Sequence, residues 1–468
     1  MGAGTKKGSG MVGILTIDEL RELHRQGEIE TVICAIPDHW GRLVGKRVRT
    51  QTFLDVGLGD EGLHGSLFLL CVDMEMEPRE GYALSGWQNG FPDFRFAPDL
   101  TTLRRIPWQD KTALVICDAV DETTGEFVEV APRTILRRQI ERASRQGISV
   151  KCATELEFYL FRGSLDEAWA ARYEDLKPTS RYRSDYHIFQ GTLEEGFTRE
   201  AREALSAADL EIEFSKPEWG LGQQEINTRY GDAMTVADRH AIFKTGIKEI
   251  AVKHGLFATF MAKPFFEDVG SSCHVHVSLW DAEGHSPVGW DPAGMHGMSV
   301  TMAAFLAGSL ATSRDLAVML APTINSYKRI QPESFAPVGI AHGIDNRTCS
   351  HRLIGHGASF RFENRIPGAD VHPHVALAGL IAGGLYGIEK RLAPPPAQEG
   401  NAYGNPDLDH FPRSLGEAVR LFDASPIARD AFGAMAHAHL STFFTTENED
   451  FQYRTVTDWE RVRYFERI

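Results

Sequence analysis

The sequence lacks the segments that carry a chain across or into a membrane. No run is long and apolar enough to span a bilayer, and residues 1–10, rich in Gly and Lys, contain no apolar stretch of the signal-peptide kind. Residues 1–13 read as an added tail, and a cytoplasmic location is expected. Positive charge is in deficit: 49 Lys and Arg face 64 Asp and Glu, a net charge of −15. Such a balance excludes nucleic acid or an anionic membrane as the main partner, because both are bound through excess Lys and Arg. Cysteine is sparse. Cys34, Cys71, Cys117, Cys152, Cys273 and Cys349 stand singly, without a CxxC pair or zinc-ligand spacing, so reduced thiols in the core are expected. A GxxxxGK[ST] phosphate loop and the HRD and DFG motifs of kinases are also missing. Any nucleotide must therefore sit on another scaffold.

What is present suits a folded α+β chain. At 468 residues, 43% apolar and 24% charged, it is too long for one ordinary core, and a large domain with a smaller one is expected. Residues 17–26 read as a helix, 31–37 as a strand with 41–49 as its hairpin partner, and 57–99 as a long loop rich in Gly, Pro and acid. Residues 112–119 form an apolar strand. Pro132 opens a helix over 132–146, in the first-turn position that proline favours. A domain boundary at 125/126 precedes it. Beyond it, 151–162, 273–280 and 359–366 read as strands, and 198–208, 233–254, 298–312 and 375–392 as helices. Met261, Phe265 and Phe266 read as core residues.

The strands carry the chemistry. Side chains two apart on a strand share a face. Glu155 and Glu157 therefore lie together, as do His274, His276 and Ser278, and Arg361, Glu363 and Arg365. Glu218 and Glu225 flank a glycine-containing turn. Taken singly, each strand is an ordinary solvated sheet face. Together they form an acidic cluster that a sheet does not need for folding, and whose like charges repel unless cations offset them. Carboxylates with a single imidazole suit Mg²⁺ or Mn²⁺ rather than structural zinc. Arg329, Arg347, Arg352, Arg361 and Arg365 are suited to phosphate or carboxylate recognition. Acids for metal beside arginines for phosphate are what phosphoryl transfer from ATP requires.

Six segments in this order resemble the glutamine synthetase family, from about residue 14 to the C-terminal end. They are Glu-Leu-Glu-Phe-Tyr-Leu-Phe, Gly-Gln-Gln-Glu-Ile-Asn, Lys-Pro-Phe-Phe with Gly-Ser-Ser-Cys-His-Val-His, Asn-Ser-Tyr-Lys-Arg, Asp-Asn-Arg-Thr and Arg-Phe-Glu-Asn-Arg. The resemblance implies an N-terminal β-grasp domain over 14–125 and a catalytic domain with an antiparallel sheet over 126–468. It also implies a homo-oligomer of two stacked hexamers. By position, Glu157, Glu218 and Glu225 would hold one metal, and Glu155, His274 and Glu363 the second. Glu213, Tyr230, His276, Ser278, Arg352 and Arg361 match nucleotide-side positions. Arg329 matches the clamp on the α-carboxylate of glutamate, with Gly270, Val269, Glu157 and Arg365 around that substrate. Arg347 and Arg365 match groups that steady the transferred phosphoryl and the acyl phosphate. The implied reaction phosphorylates the γ-carboxylate of glutamate with ATP, after which an amine displaces the phosphate.

The chain departs from this pattern around the amine. Ammonia-using members carry a flap acid six residues after the clamp arginine, and here that residue is Phe335. Glu333 lies two residues earlier and is the candidate substitute base. The residue before Gly270 is Val269 where the family has Asn, a nucleotide-side Lys is Ala358, and only residues 80–83 (Glu-Gly-Tyr-Ala) answer to the ammonium-binding loop. An acid replaced by Phe enlarges the apolar area of the amine pocket and weakens it for small cations. The expected product is therefore a γ-glutamyl amide of an alkyl- or arylamine. An ordinary glutamine synthetase, a γ-glutamylpolyamine synthetase and a non-catalytic structural member are the competing readings. Tyr403 resembles a site of regulatory adenylylation on an exposed loop.

Overall fold

The computed structural model describes residues 13–467, so 1–12 of the expected tail lie outside the described residues. The first helix, Ile17–Arg25, starts at a capping box. The Thr16 hydroxyl accepts from the Glu19 N–H, and the Glu19 carboxylate accepts from the Thr16 N–H. Six strands follow among the described residues: β1 Thr31–Pro37, β2 Leu43–Arg49, β3 Leu63–Ser66, β4 Asp93–Pro98, β5 Arg104–Arg105 and β6 Thr112–Asp121. Their order is β2-β1-β6-β4-β3, with β5 on β6. β1 runs parallel to β6 and antiparallel to β2. Two of these strands lie inside the segment read as a long loop. The alternation of β4 rests on Phe94 and Phe96, both fully buried, and the surrounding Gly, Pro and Asp mask it.

The second sheet has ten strands among the described residues. They are β7 Ile148–Arg162, β8 Lys177–Pro178, β9 Ile212–Pro217, β10 Gln223–Thr228, β11 Gly231–Asp232, β12 Leu256–Thr259, β13 Cys273–Asp281, β14 His342–Ile344, β15 His351–Ile354 and β16 Arg361–Asn364. The main path is β14-β15-β16-β13-β7-β10-β9, with β8, β11 and β12 also on β7. One face packs on the helix Ala233–Lys253, through Leu156 and Phe158 against Ala237, Phe243 and Ile247. Behind it the helices Val300–Ala311 and Pro373–Lys390 meet at glycines. A Cβ on Gly308 would stand 2.2 Å from the Gly383 carbonyl oxygen, so only glycine permits this approach.

Two hydrophobic cores accompany the two sheets. One is built from residues between Leu15 and Ala131, the other mainly from the second sheet and its helices. Between them Arg133, 2% exposed, is ion-paired to Asp99, Asp118 and Asp238. All six cysteines are buried and free.

Two further features depart from the sequence reading. The helix expected from residue 198 begins at Ile188. Its first turns point Gln190 and Glu194 inward while Ile188, Phe189 and Leu193 face out. Glu194 accepts from Thr179 and Gln224, so this inverted polarity hides the helix from apolar periodicity. Of the three residues read as core, Phe265 packs half-buried against Tyr159 and Phe161. Phe266 and Met261 are instead 80% and 45% exposed, because the segment that carries them leaves the sheet after β12.

Candidate active site

Residues opposite one another in an antiparallel register share a face. Across β15-β16-β13-β7-β10-β9, Arg352 faces Glu363, and Glu363 faces His276. Likewise His274 faces Glu155, Glu157 faces Glu225, and Glu225 faces Lys216. Alternation turns Leu156, Phe158, Ile226 and Val275 into the core. One face of the sheet therefore becomes a band of charge, and Glu218 joins it from the turn after β9. Gly222 makes that turn possible. Its φ is +77°, and an added Cβ would stand 2.6 Å from the Leu160 carbonyl oxygen.

Two adjoining cavities open on this face. The larger, about 350 Å³, is lined by both acidic clusters and by Gly270, Arg329, Phe335, Arg347 and Arg365, among others. The second, about 310 Å³, is lined by Glu213, Tyr230, His276, Ser278, Ala358 and Arg361. Five of the six nucleotide-side candidates line this second cavity. Arg352 lies elsewhere, between Asp345 and Glu363, and lines the first. Glu155 borders both. Tyr230 stacks on Trp280 with ring centroids 6.2 Å apart.

Two groups of three side chains have ligand atoms within 4.8 Å of one another: Glu157, Glu218 and Glu225, and Glu155, His276 and Glu363. His274 belongs beside the second group, 3.3 Å from Glu155 and 3.2 Å from Glu363. The sequence reading used His274 alone there, yet His276 Nε2 stands 2.8 Å from Glu155. Arg361 Nε donates to His276 Nδ1 at 3.0 Å, which puts the proton of neutral His276 on Nε2, aimed at Glu155.

The two groups differ in electrostatics. Burial opposes ionisation of Glu155, but hydrogen bonds from His274 and His276 outweigh it and hold its carboxyl far below the usual range. Glu363 is likewise brought down to about 2, against burial, by His274 and Arg365. His274 itself is pushed down to about 4 by burial and by Arg365. In the other group burial and neighbouring carboxylates act together. Burial and Glu218 push Glu157 up to about 7, and burial with Glu157 and Glu218 pushes Glu225 up to about 9. Lys216 pairs with Glu218 but leaves the trio with an acid excess. Such a trio favours a bound cation, and its all-oxygen donors fit a hard divalent ion.

The remaining candidates surround this band. Ser272 donates to both oxygens of Glu157, from its N–H at 2.7 Å and its hydroxyl at 2.6 Å. Val269 and Gly270 form the loop alongside, where the Tyr159 hydroxyl donates to the Val269 carbonyl at 2.7 Å. Arg329 is buried, and Nη1 donates to the Ile366 carbonyl at 2.8 Å. The flap that follows it has left-handed backbone at Glu333 and Phe335, both with φ of +59°. Phe335 lines the first cavity and is 62% exposed, whereas Glu333 is exposed and lies outside the lining. Arg365 Nη2 donates to the Phe335 carbonyl at 3.4 Å and Nε to the Arg347 carbonyl at 3.2 Å. Tyr403, read as an exposed loop residue, is half-buried, and its hydroxyl donates to the Ala336 carbonyl at 2.9 Å.

The sequence reading missed Asp185, Tyr186, Phe214, Lys216 and Trp219, all of which line the first cavity. Lys216 was legible, two residues before Glu218 in an extended segment. Asp185 and Tyr186 lie in an irregular stretch with no periodicity to read.

Residues 129–464 match the model of the glutamine synthetase catalytic domain. The chain is 46% identical over 454 residues to a γ-glutamylethanolamide synthetase of Streptomyces coelicolor, covering 97% of this chain and 96% of that protein. It is 37% identical over 456 residues to a glutamate–isopropylamine ligase of a Pseudomonas species, covering 96% and 98%. A solved GmaS–ADP complex superimposes with a TM-score of 0.82 at 28% identity, covering 95% of this chain and 99% of that one. No helix among the described residues is long and apolar enough to cross a membrane. On its domain match, its full-length relatives and its fold, the chain belongs to the glutamine synthetase family, as an ATP-dependent ligase that joins a carboxylate to an amine through divalent-metal chemistry.

Proposed function

We propose that this enzyme forms γ-glutamyl amides from glutamate and a small primary alkylamine or alkanolamine, of the ethanolamine and isopropylamine kind, and that ammonia is a poor substrate. The observation that carries this reading is Phe335: an apolar ring lines the cleft where an ammonia-using enzyme would hold a carboxylate. The two relatives whose names specify an alkylamine or alkanolamine product support it. Residues 14–125 serve as the grasp domain and 126–468 as the catalytic domain, in a cytoplasmic homo-oligomer of two stacked hexamers.

Glu157, Glu218 and Glu225 would hold one Mg²⁺ or Mn²⁺, and Glu155, His274 and Glu363 a second. When bound, such ions offset the charge on transferring phosphate. Glu213, Tyr230, His276, Ser278 and Arg361 hold ATP, with Arg352 reaching it from the first cavity, where it pairs with Glu363. Arg329 receives the α-carboxylate of glutamate beside Gly270. Arg347 and Arg365 steady the γ-phosphoryl as it passes to the glutamate γ-carboxylate, and then the oxyanion of amine attack.

The experiment is phosphate release from ATP and glutamate with a panel of ammonia, ethanolamine, isopropylamine, putrescine and aniline. The alkylamines should lead by kcat/KM. Ammonia as the best substrate would return the protein to the ordinary glutamine synthetases. Putrescine as the best would indicate a polyamine enzyme, and no turnover with any amine a non-catalytic member.

A further inference from the structure

Three carboxylates meet in the Glu157–Glu218–Glu225 trio, with ligand atoms within 4.8 Å of one another. Of the five lysines and arginines that line the larger cavity among the described residues, one is ion-paired to this trio. Arg352 and Arg365 pair with Glu363 of the other group, whereas Lys216 pairs with Glu218. The sheet fixes its place. Lys216 stands opposite Glu225 in the β9–β10 register, so the two share a face, and Glu218 joins them from the turn. The Lys216 side chain is 13% exposed.

The ammonium also has a second seat. Nζ lies 3.3 Å from Asp185 Oδ1 and 4.3 Å from the centre of the Tyr186 ring. Carboxylate and aromatic face together suit an alkylammonium. This seat is held against β9, because the Tyr186 N–H donates to the Pro217 carbonyl at 3.3 Å. Asp185 belongs to neither candidate metal group. Lysine carries a point charge on a flexible four-carbon stem, so the ammonium can leave Glu218 for Asp185 without any shift of the strand.

We propose that Lys216 is a tethered counter-ion of the trio, which competes with the divalent ion for Glu218 and yields by moving wholly onto Asp185 and Tyr186. This rests on the reading of the trio as a divalent-ion site. An ammonium on Glu218 uses one of its acceptor positions and sets a positive charge beside the place of a second cation. Ion binding must therefore displace a charge-assisted hydrogen bond and overcome like-charge repulsion. Lys216 thereby holds the affinity of the trio below what three carboxylates alone would give. It also couples occupancy of the trio to the segment that carries Asp185 and Tyr186 along the cavity.

The test measures Mn²⁺ binding to the full-length protein, stripped of metal and without substrates, from the paramagnetic resonance of the free ion. Glu225→Gln should remove one class of Mn²⁺ site. Lys216→Met should tighten that same class by about ten- to a hundredfold, the strength of a hydrogen bond to a charged group. Lys216→Arg keeps the charge and should stay within about threefold of the wild type. Asp185→Asn removes the second seat and should weaken Mn²⁺ about three- to tenfold, an effect that should vanish when combined with Lys216→Met. An affinity unchanged or lowered in Lys216→Met overturns the proposal, as does an Asp185→Asn effect that persists without Lys216. Should Lys216→Met fail to fold, Asp185→Asn, at an exposed residue, decides alone, and unchanged Mn²⁺ binding there refutes the second seat. If Glu225→Gln loses no site, the trio is not a divalent-ion site and both readings fall together.

Discussion

Replacing Phe335 by Glu tests the selection of the amine most directly. The backbone there is left-handed with φ of +59°, and Phe and Glu tolerate that about equally. The carbonyl that Arg365 contacts is unchanged. The ring is 62% exposed, so removing it empties little core and the melting temperature should move little. A carboxylate at this edge of the cleft offers ammonium a charge-assisted hydrogen bond, worth about 1.5 kcal/mol at the weak end for a solvated position. An alkyl group loses its contact with the ring, about 0.8 kcal/mol per buried methylene and about 0.5 kcal/mol after allowance for exposure. Together these shift the ratio of kcat/KM for ammonia over ethanolamine by about 2 kcal/mol, or about thirtyfold, towards ammonia. Steady-state phosphate release with each amine at saturating glutamate and ATP measures it. A ratio unchanged within about threefold in a normally melting variant would refute flap selection, since it corresponds to under about 0.7 kcal/mol.

Three further outcomes follow from the site. The Glu157–Glu218–Glu225 trio makes stability depend on pH when divalent ions are removed by chelation. Folding raises Glu157 to about 7 and Glu225 to about 9, from about 4.3 when unfolded. The folded state therefore holds more protons across that window, and stability falls as pH rises through it. Glu225→Gln should flatten the fall in melting temperature, and added Mg²⁺ should stabilise the wild type more at about pH 8 than at about pH 5; equal slopes in the two proteins would disprove the link. Tyr403→Phe removes the hydroxyl that reaches Ala336 in the flap. KM for the amine should rise about two- to tenfold with kcat nearly constant, measured in the same assay. Gly270→Ala places a Cβ 2.7 Å from Arg329 Cγ and 2.6 Å from the Ala262 carbonyl oxygen. KM for glutamate should rise at least about tenfold as the clamp is displaced, while ATP binding, read by isothermal titration, stays the same.

Much of the site was legible because strand alternation is a local rule. Glu155 and Glu157, His274 and His276, and Arg361 and Glu363 each declare a shared face two residues apart, and the structure keeps those faces. Assigning the histidines was harder. Alternation places both on the face, but which carboxylate each meets depends on the register of β13 against β7 and β16. β4 was lost inside a polar loop because two phenylalanines are too short a pattern to read. The helix from Ile188 was lost because its buried residues are polar.

By itself the sequence determined the class of chemistry. Residue types at spacings of two were enough to point to metal and phosphate; the resemblance to the glutamine synthetase family implied glutamate, and Phe335 in place of its flap acid gave the expectation of a non-ammonia amine. Only the tertiary structure decided which acids share a group, since Glu218 reaches Glu157 and Glu225 through a turn rather than along a strand. It also decided their charge state, because burial and neighbouring carboxylates raise one group while histidines and Arg365 lower the other. Lys216 and Asp185 came together the same way. A strand and an irregular segment 31 residues apart meet at one corner of the cleft, and no local pattern encodes a contact made by packing.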